Sequence, residues 1–236
     1  MENKYLLLAR RAREEDNSED AKKYYDMVRT EDPDNAEAKF FYSYYKLMSG
    51  TKGHAYSDYV TFCNGIEPTL SMVMASNESY EDKKALVKSI VECADIAYEV
   101  TRSADIDIRG GNGNSIIIKN QLTMLSLIDC IVKNFGSDSE MLCVAYRSRK
   151  SAITYSEEKR PLDMYKLGDE IEKIFPKDND LMAIAVSCWK EGVEYQQKYY
   201  GYVKDKSVPE GYAEKIKKYE PNYEMPKRPG CISSGS

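Results

Sequence analysis

Along the first third of the chain, the apolar positions follow a helical spacing that itself repeats. Ala21, Tyr25 and Val28 lie four and three residues apart, and side chains at that spacing share one face of an α-helix. The same positions 34 residues later hold Ala55, Tyr59 and Phe62. A period of that length is typical of helix-turn-helix repeats, so the pattern predicts an all-α protein built from antiparallel helix pairs.

Each repeated position has a packing role. A small residue such as Ala21 lets the second helix of a pair approach the first, and the aromatic side chain one turn later fills the space between them. Pro33 and Pro68, 35 residues apart, are predicted to end the second helix of each pair, because proline cannot donate the next backbone hydrogen bond. Residues 32–35 then form a turn, and Asn35 is predicted to cap the helix that follows.

Beyond residue 68 the repeat is lost, although helical patterning continues. The predicted helices run over about 79–103 with Ser79 as the cap, 115–135, from near 137, 161–175, from Asp178 or Asp180 to about 200, and 209–219. We interpret residues 69–220 as degenerate helix pairs that continue the stack. Residues 221–236 contain three prolines and no periodicity, which predicts a disordered tail.

Residues 2–35 resemble one tetratricopeptide repeat without a gap. In that family a large residue, a leucine and a small residue open the first helix, and Tyr5, Leu8 and Ala9 occupy those places here. Residues 36–68 resemble a second and less regular copy, with Lys39 in place of the large residue and Ser43 in place of the small one. The resemblance implies two such repeats over residues 1–68 and a solenoid of helix pairs that becomes irregular afterwards.

The same resemblance implies a binding groove, because the first helix of each tetratricopeptide pair lines the concave side of the stack. The implied groove positions are Asn3, Leu6, Leu7, Arg10 and Arg13 in the first copy, and Glu37, Phe40, Phe41, Tyr44 and Met48 in the second. The predicted peptide contacts are Leu7, Arg10, Arg13, Phe40, Phe41, Tyr44 and Met48. The alternative is that Phe40, Phe41 and Tyr44 pack against neighbouring helices. One subset of the family clamps a terminal carboxylate with two asparagines, but Phe41 and Tyr44 occupy those positions, so that activity is not expected.

Composition and charge favour a soluble, ordered protein. The 236 residues carry a formal net charge of −5, and no stretch approaches the roughly 18 to 20 continuous apolar residues of a membrane span. The chain start resembles no export signal, and we expect a cytoplasmic location with reduced cysteines. The opening also resembles bacterial cytosolic proteins in which a zinc ribbon precedes such a repeat. No cysteine precedes Cys63, so the ribbon is either absent or was trimmed from this chain, and the nucleic-acid role that it implies is not carried over.

Motifs for catalysis, cofactors or metals are not found. The six cysteines are dispersed without a CxxC pair, so no metal site is predicted. Residues 110–115 read GGNGNS, which lacks the lysine of a phosphate-binding loop and is interpreted as a flexible connection. His54 is the only histidine, which excludes most catalytic triads. We therefore predict a non-enzymatic protein-interaction module without a cofactor.

Two alternatives from other functional classes remain open. The segment 198–228 holds eight Lys or Arg against five Asp or Glu, interleaved with tyrosines, and such a mixture could contact phosphates and stack on bases. The first alternative is therefore a nucleic-acid-associated regulator that uses this region. The second is an enzyme whose acidic side chains converge in a pocket of the helical stack.

Overall fold

The computed structural model describes residues 3–50, 55–107, 113–154, 160–199 and 207–226. Within these ranges the chain forms helices and no β-strand, which confirms the predicted all-α class. The helices are α1 (Lys4–Glu14), α2 (Ser18–Glu31), α3 (Ala36–Met48), α4 (Ala55–Ala75), α5 (Tyr80–Asp107), α6 (Gly113–Phe135), α7 (Ser139–Thr154), α8 (Arg160–Ile174), α9 (Asn179–Tyr199) and α10 (Ser207–Lys217).

Short polar side chains fix the helix starts. The Asn35 side chain accepts a hydrogen bond from the backbone N–H of Ala38 at 2.9 Å, as predicted for a cap. Ser79 caps α5 by accepting from the backbone N–H of Asp82 at 3.1 Å, and Asp178 caps α9 in the same way. Helix α7 begins at Ser139, two residues beyond the predicted start near 137, and Asp138 caps it. Each cap satisfies a backbone donor that would otherwise lack a partner inside its helix.

The helices divide into two compact units, Met1–Ser137 and Asp138–Ser236. In the first unit each helix from α1 to α5 packs against the next, α3 also touches α5, and α6 packs against both α4 and α5. The start of α1 lies beside the end of α2, because Asn3 Nδ2 donates to Glu31 Oε2 at 3.2 Å. Lys22 Nζ likewise donates to Ser49 Oγ at 2.8 Å and joins the start of α2 to the end of α3. These neighbouring helices are therefore antiparallel.

The repeated positions of the sequence lie in the core of the first unit. Ala21, Tyr25 and Val28 are fully buried, and Tyr59 and Phe62 of α4 are nearly so. Helix α2 thus presents one continuous apolar face to its neighbours, as its spacing predicted. The side chain of the sixth repeated position, at residue 55, lies outside the described residues.

The prediction that Pro68 ends its helix was wrong. Pro68 lies inside α4, which continues to Ala75. Proline removes the backbone donor that would reach the carbonyl of Asn64, but the helix resumes because apolar side chains beyond it still find the core. Leu70 and Val73 are buried, so their burial favours continued helix over a turn at residue 68. The predicted boundary between residues 68 and 69 consequently falls within one helix.

The second unit is organised around α9, which packs against α7, α8 and α10. Two glycines permit the close approach of α8 and α9. A Cβ at Gly168 would collide with the indole nitrogen of Trp189, and a Cβ at Gly192 would lie 2.6 Å from the ring of Tyr165. Trp189 is fully buried as a result, and it is the largest side chain in the core.

Helix α10 is held to this unit largely through the carboxylate of Asp169, and Lys215 also pairs with Glu172. Asp169 of α8 accepts hydrogen bonds from Trp189 Nε1 at 3.1 Å, from the Tyr212 hydroxyl at 2.7 Å and from Lys215 Nζ at 2.7 Å. The Tyr212 ring also stacks on Tyr165, with centroids 3.8 Å apart and planes within 2° of parallel. Polar and aromatic contacts together therefore fasten the last helix.

Three predicted features lie outside the described residues, at least in part. They are the flexible connection at 110–115, of which only residues from Gly113 onward are described, the isolated His54, and most of the tail at 221–236.

Candidate functional site: a charged groove between α1, α3 and α5

A cavity of about 410 Å³ opens between α1, α3 and α5 in the first unit. We call it the charged groove. It is lined by Arg10 and Arg13 of α1, by Glu37 of α3, by Glu78, and by Asp82, Ala85, Leu86 and Ser89 of α5. Its volume is within the range of small-molecule and peptide side-chain pockets, and polar groups converge on it from three helices.

Glu37 forms the floor of the charged groove and is only 7% exposed. Arg10 binds its carboxylate twice, through Nε at 3.0 Å and through Nη2 at 2.6 Å, and the Tyr25 hydroxyl donates to Oε1 at 3.0 Å. Burial, reinforced by the charge of Glu37, raises the pKa of Tyr25 above its ordinary value, so its hydroxyl stays protonated and continues to donate. The floor is therefore a satisfied and rigid polar network rather than an available general base.

Arg13 supplies positive charge that this network does not use. Its guanidinium carbon lies 4.3 Å from the centroid of the Phe41 ring, a cation–π contact that fixes the side chain over a buried aromatic surface. No carboxylate within the described part of the chain lies at ion-pair distance from it. Arg13 also opposes the effect of burial on Cys93, although burial still raises the pKa of that thiol to about 12. An oriented guanidinium without a carboxylate partner is suited to a ligand carboxylate or phosphate.

The opposite wall of the groove is acidic. Glu78 and Asp82 lie at the start of α5, where negative charge is favoured by the helix dipole. Asp82 accepts a hydrogen bond from the Ser79 hydroxyl at 2.6 Å, which orients its carboxylate. The groove thus has a basic wall on α1 and an acidic wall on α5, with the short side chain of Ala85 leaving space between them.

The structure brings together only some of the predicted peptide contacts. Arg10 and Arg13 both line the charged groove, and Phe41 lies directly beneath Arg13. Leu7 is 49% exposed and Met48 is half-buried, and neither lines the groove.

Phe40, Phe41 and Tyr44 are buried between helices, as the packing alternative required. Phe40 and Tyr44 both contact the ring of Phe62 in α4, with centroid distances of 5.6 and 6.2 Å. Burial raises the pKa of Tyr44 to about 12. None of the three lines the charged groove, and only Phe41 contacts one of its residues, Arg13.

Sequence reasoning missed the wall that α5 contributes. The repeat is visible in the sequence only to residue 68, and α4 continues past that point, so α5 begins later than a regular third repeat would. The sequence does contain a signal for the start of α5, which is the Ser79 cap followed by acidic residues in the first turn of the helix.

The basic, tyrosine-rich C-terminal region uses much of its charge internally. Lys215 contacts Asp169 at 2.7 Å and Glu172 at 2.6 Å, and Lys217 pairs with Glu214 at 2.7 Å. Internal pairing of this kind leaves less positive charge for phosphates than the residue count indicates.

Neither metal-binding side chains nor the comparisons with known proteins indicate a functional site other than the charged groove. Among the described residues no group of three or more His, Cys, Asp or Glu side chains could hold a metal ion. No family model, no curated protein and no solved structure matches the chain. By length and composition alone, one helix segment among the described residues, Ser115–Phe135 with a mean hydropathy of 1.4, could cross a membrane. Core helices of soluble proteins pass the same test, and this segment packs against α4 and α5.

Proposed function

We propose that the first unit is a non-enzymatic, cytoplasmic protein-interaction module of tetratricopeptide type that binds a peptide segment in the charged groove. The observation that carries the proposal is the position of the groove. It lies between α1, α3 and α5, which are the first helices of three successive pairs and the helices that line the binding surface in tetratricopeptide stacks.

The burial pattern supports the tetratricopeptide interpretation. The small residues Ala9 and Ala21 are fully buried where two helices of a pair approach, and Tyr25 occupies the adjoining aromatic position. Helix pairs of this kind cannot bury their apolar faces alone, so they stack and leave one open face. Peptide binding is the common use of such a face.

The chemistry of the groove favours a peptide that carries both charges. Arg13 can bind an acidic group of the peptide on the α1 side, while Glu78 and Asp82 attract a basic group on the α5 side. The nearly buried Leu86 supplies a small apolar contact between them. Opposite charges on the two walls fix the orientation of a bound segment more than they increase its affinity.

The test is selection of binding peptides from a displayed random library with the full chain, followed by affinity measurement on the selected peptides. Arg13→Glu should weaken binding at least tenfold, because it replaces the guanidinium with a repelling carboxylate. Arg11→Glu is the matched control, since Arg11 is exposed on the same helix and its one ion pair among the described residues is with Glu15, four residues away. Ala85→Gln, which lengthens an exposed side chain inside the groove, should also weaken binding.

Two results would reject the proposal. One is a library that yields no peptide, and the other is an equal effect of the Arg13 and Arg11 substitutions. A third measurement addresses the nucleic-acid alternative. Binding of single-stranded DNA with a steep loss on added salt, unaffected by Arg13→Glu, would favour that alternative over peptide capture.

A further inference from the structure

The outward side of α6 carries an apolar stripe that no other helix of its unit covers. Its members are Ile118, Leu122, Leu125 and Val132, which are 57%, 55%, 40% and 41% exposed. With Asp129 they follow alternating steps of four and three residues, so all five lie on one helical face. We call this the outer α6 face. Four large apolar side chains on one helical face, interrupted only by Asp129, are more than the scattered exposure of an ordinary surface.

The inner side of the same helix is already occupied. Ile116, Met124, Leu127 and Ile131 are almost fully buried against α4 and α5. Asn120 is also buried and accepts a hydrogen bond from the Tyr59 hydroxyl at 3.1 Å. The helix is therefore locked into its unit by one face, and the outer face is free to contact another molecule.

The spacing of the outer α6 face is that of a coiled-coil seam. Apolar residues at alternating steps of three and four form the row that packs against a partner helix with the same spacing. Because the seam covers about two heptads, it matches a short helix-to-helix contact and does not suit a large irregular surface. We infer that the outer α6 face pairs with the outer α6 face of a second copy of this chain, in an antiparallel orientation.

The charges of α6 decide the orientation. Asp129 lies in the seam, and within the described residues no side chain forms an ion pair with it. In a parallel pair, Asp129 would face its own counterpart, and two like charges would be forced together. In an antiparallel pair with Leu122 opposite Leu125 of the second copy, Asp129 lies opposite Ile118 and next to Lys119.

Lys119 is placed to complete that contact. Its Nζ atom donates to Asn64 Oδ1 at 2.6 Å in an exposed position, so the ammonium lies at the surface. An antiparallel pair brings Asp129 of each copy to Lys119 of the other, and the two-fold symmetry produces the contact twice. Charge complementarity thus favours the antiparallel arrangement, while a short interface predicts a weak dimer with a dissociation constant of about 1 to 100 μM.

Sedimentation velocity over a concentration series of the full chain tests the dimer. The wild type should shift from monomer toward dimer as its concentration rises, and the double variant Leu122→Glu with Leu125→Glu should stay monomeric. Leu162→Glu is the matched control, because Leu162 of α8 is a comparably exposed leucine, at 57%, and belongs to the second unit. A wild type that remains monomeric at all concentrations, or a dimer that Leu162→Glu disrupts equally, would overturn the inference.

A charge exchange tests the pairing directly. Asp129→Lys and Lys119→Asp should each weaken the dimer at least tenfold, because each creates a like-charge contact. The combined variant should recover wild-type association, since the contact is restored with its charges reversed. Failure of the combined variant to recover, with an unchanged helical circular dichroism spectrum, would contradict the proposed contact.

Disulfide trapping distinguishes the two orientations even if the charge variants fold poorly. The parent chain for this experiment carries Cys130→Ser, because Cys130 is a half-buried thiol on the same helix. A mixture of Leu122→Cys and Leu125→Cys chains should form a mixed disulfide-linked dimer. Ile118→Cys alone should not link to itself, because in the antiparallel pair the two copies of this residue lie about 16 Å apart along the axis. Self-linking of Ile118→Cys would show a parallel pair and overturn the orientation.

A vesicle-binding assay tests the alternative that the outer α6 face contacts a membrane. If the stripe instead served membrane contact, the full chain would co-sediment with vesicles of neutral phosphatidylcholine, and Leu122→Glu with Leu125→Glu would abolish this. That result, without dimer formation, would overturn the inference. The dimer and the groove lie on different helices, so failure of the charged groove to bind peptides leaves the dimer test unaffected.

Discussion

Replacing Gly168 by alanine should destabilise the second unit despite the higher helix propensity of alanine. Gly168 is in the middle of α8, where its missing side chain leaves room for the indole of Trp189. An added Cβ would meet the indole nitrogen and lie 2.6 Å from Cδ1. Trp189 is fully buried, so it cannot move aside without disturbing the packing of α9.

The magnitude follows from three contributions. Overpacking in a close-packed core costs about 1 to 3 kcal/mol, and displacing the indole weakens its 3.1 Å hydrogen bond to Asp169, which is worth about 1 kcal/mol. The higher helix propensity of alanine offsets about 1 kcal/mol of this destabilisation. We therefore expect Gly168→Ala to lower the free energy of unfolding by about 1 to 3 kcal/mol.

Urea unfolding followed by tryptophan fluorescence measures this change in the correct unit, because Trp189 is the only tryptophan of the chain. With an ordinary denaturant slope, the midpoint should fall by about 1 M. Gly211→Ala is the matched control in the same unit. A Cβ at Gly211 meets nothing within 4 Å, so this variant should gain up to about 1 kcal/mol from helix propensity.

Overpacking by the added Cβ would be refuted if Gly168→Ala proved as stable as the wild type with the same fluorescence spectrum. It would also be refuted if the two glycine variants shifted the midpoint in the same direction by similar amounts, because only the space around the Cβ distinguishes them.

Two further predictions concern α4 and the buried thiol of α9. Pro68→Ala should raise the free energy of unfolding by about 1 to 3 kcal/mol in thermal or urea denaturation, because alanine restores a backbone donor to the carbonyl of Asn64; a loss of stability would instead support a terminating role for this proline. Burial raises the pKa of Cys188 to about 12 from an ordinary value of about 9, so the unfolded thiol ionises first and stability should fall as the pH rises from about 9 to 12. Cys188→Ala should make this decline shallower, and an identical pH dependence in both proteins would contradict the assignment.

Local signals predicted the helices well because each depends on a few neighbouring residues. Asn35 and Ser79 cap helices as expected, since the side-chain oxygen reaches a backbone donor only three residues away. Pro68 was misread because the same local rule ignores tertiary packing. The burial of Leu70 and Val73 outweighs the lost hydrogen bond, and no local pattern contains that information.

The candidate site was predictable only on the helices whose repeat phase was visible. Arg10 and Arg13 were identified from their positions on α1, and both line the charged groove. Phe41 has the spacing expected of a groove residue, but aromatic side chains on a helix between two neighbours are more stable buried than exposed. The partner wall from α5 depends on how far α4 extends, which is a property of the packed unit and not of either segment alone.

The attachment of α10 has a consequence for how the protein is made. Asp169 receives two of its three hydrogen bonds from α10, and the rings of Tyr212 and Tyr219 pack within 6.5 Å of the Trp189 ring. A ribosome must therefore release the chain through Tyr219 before these aromatic surfaces can close. Until then the nascent second unit exposes the apolar surface that α10 covers in the folded protein. Translation that stops before residue 207 would therefore leave a product prone to capture by chaperones.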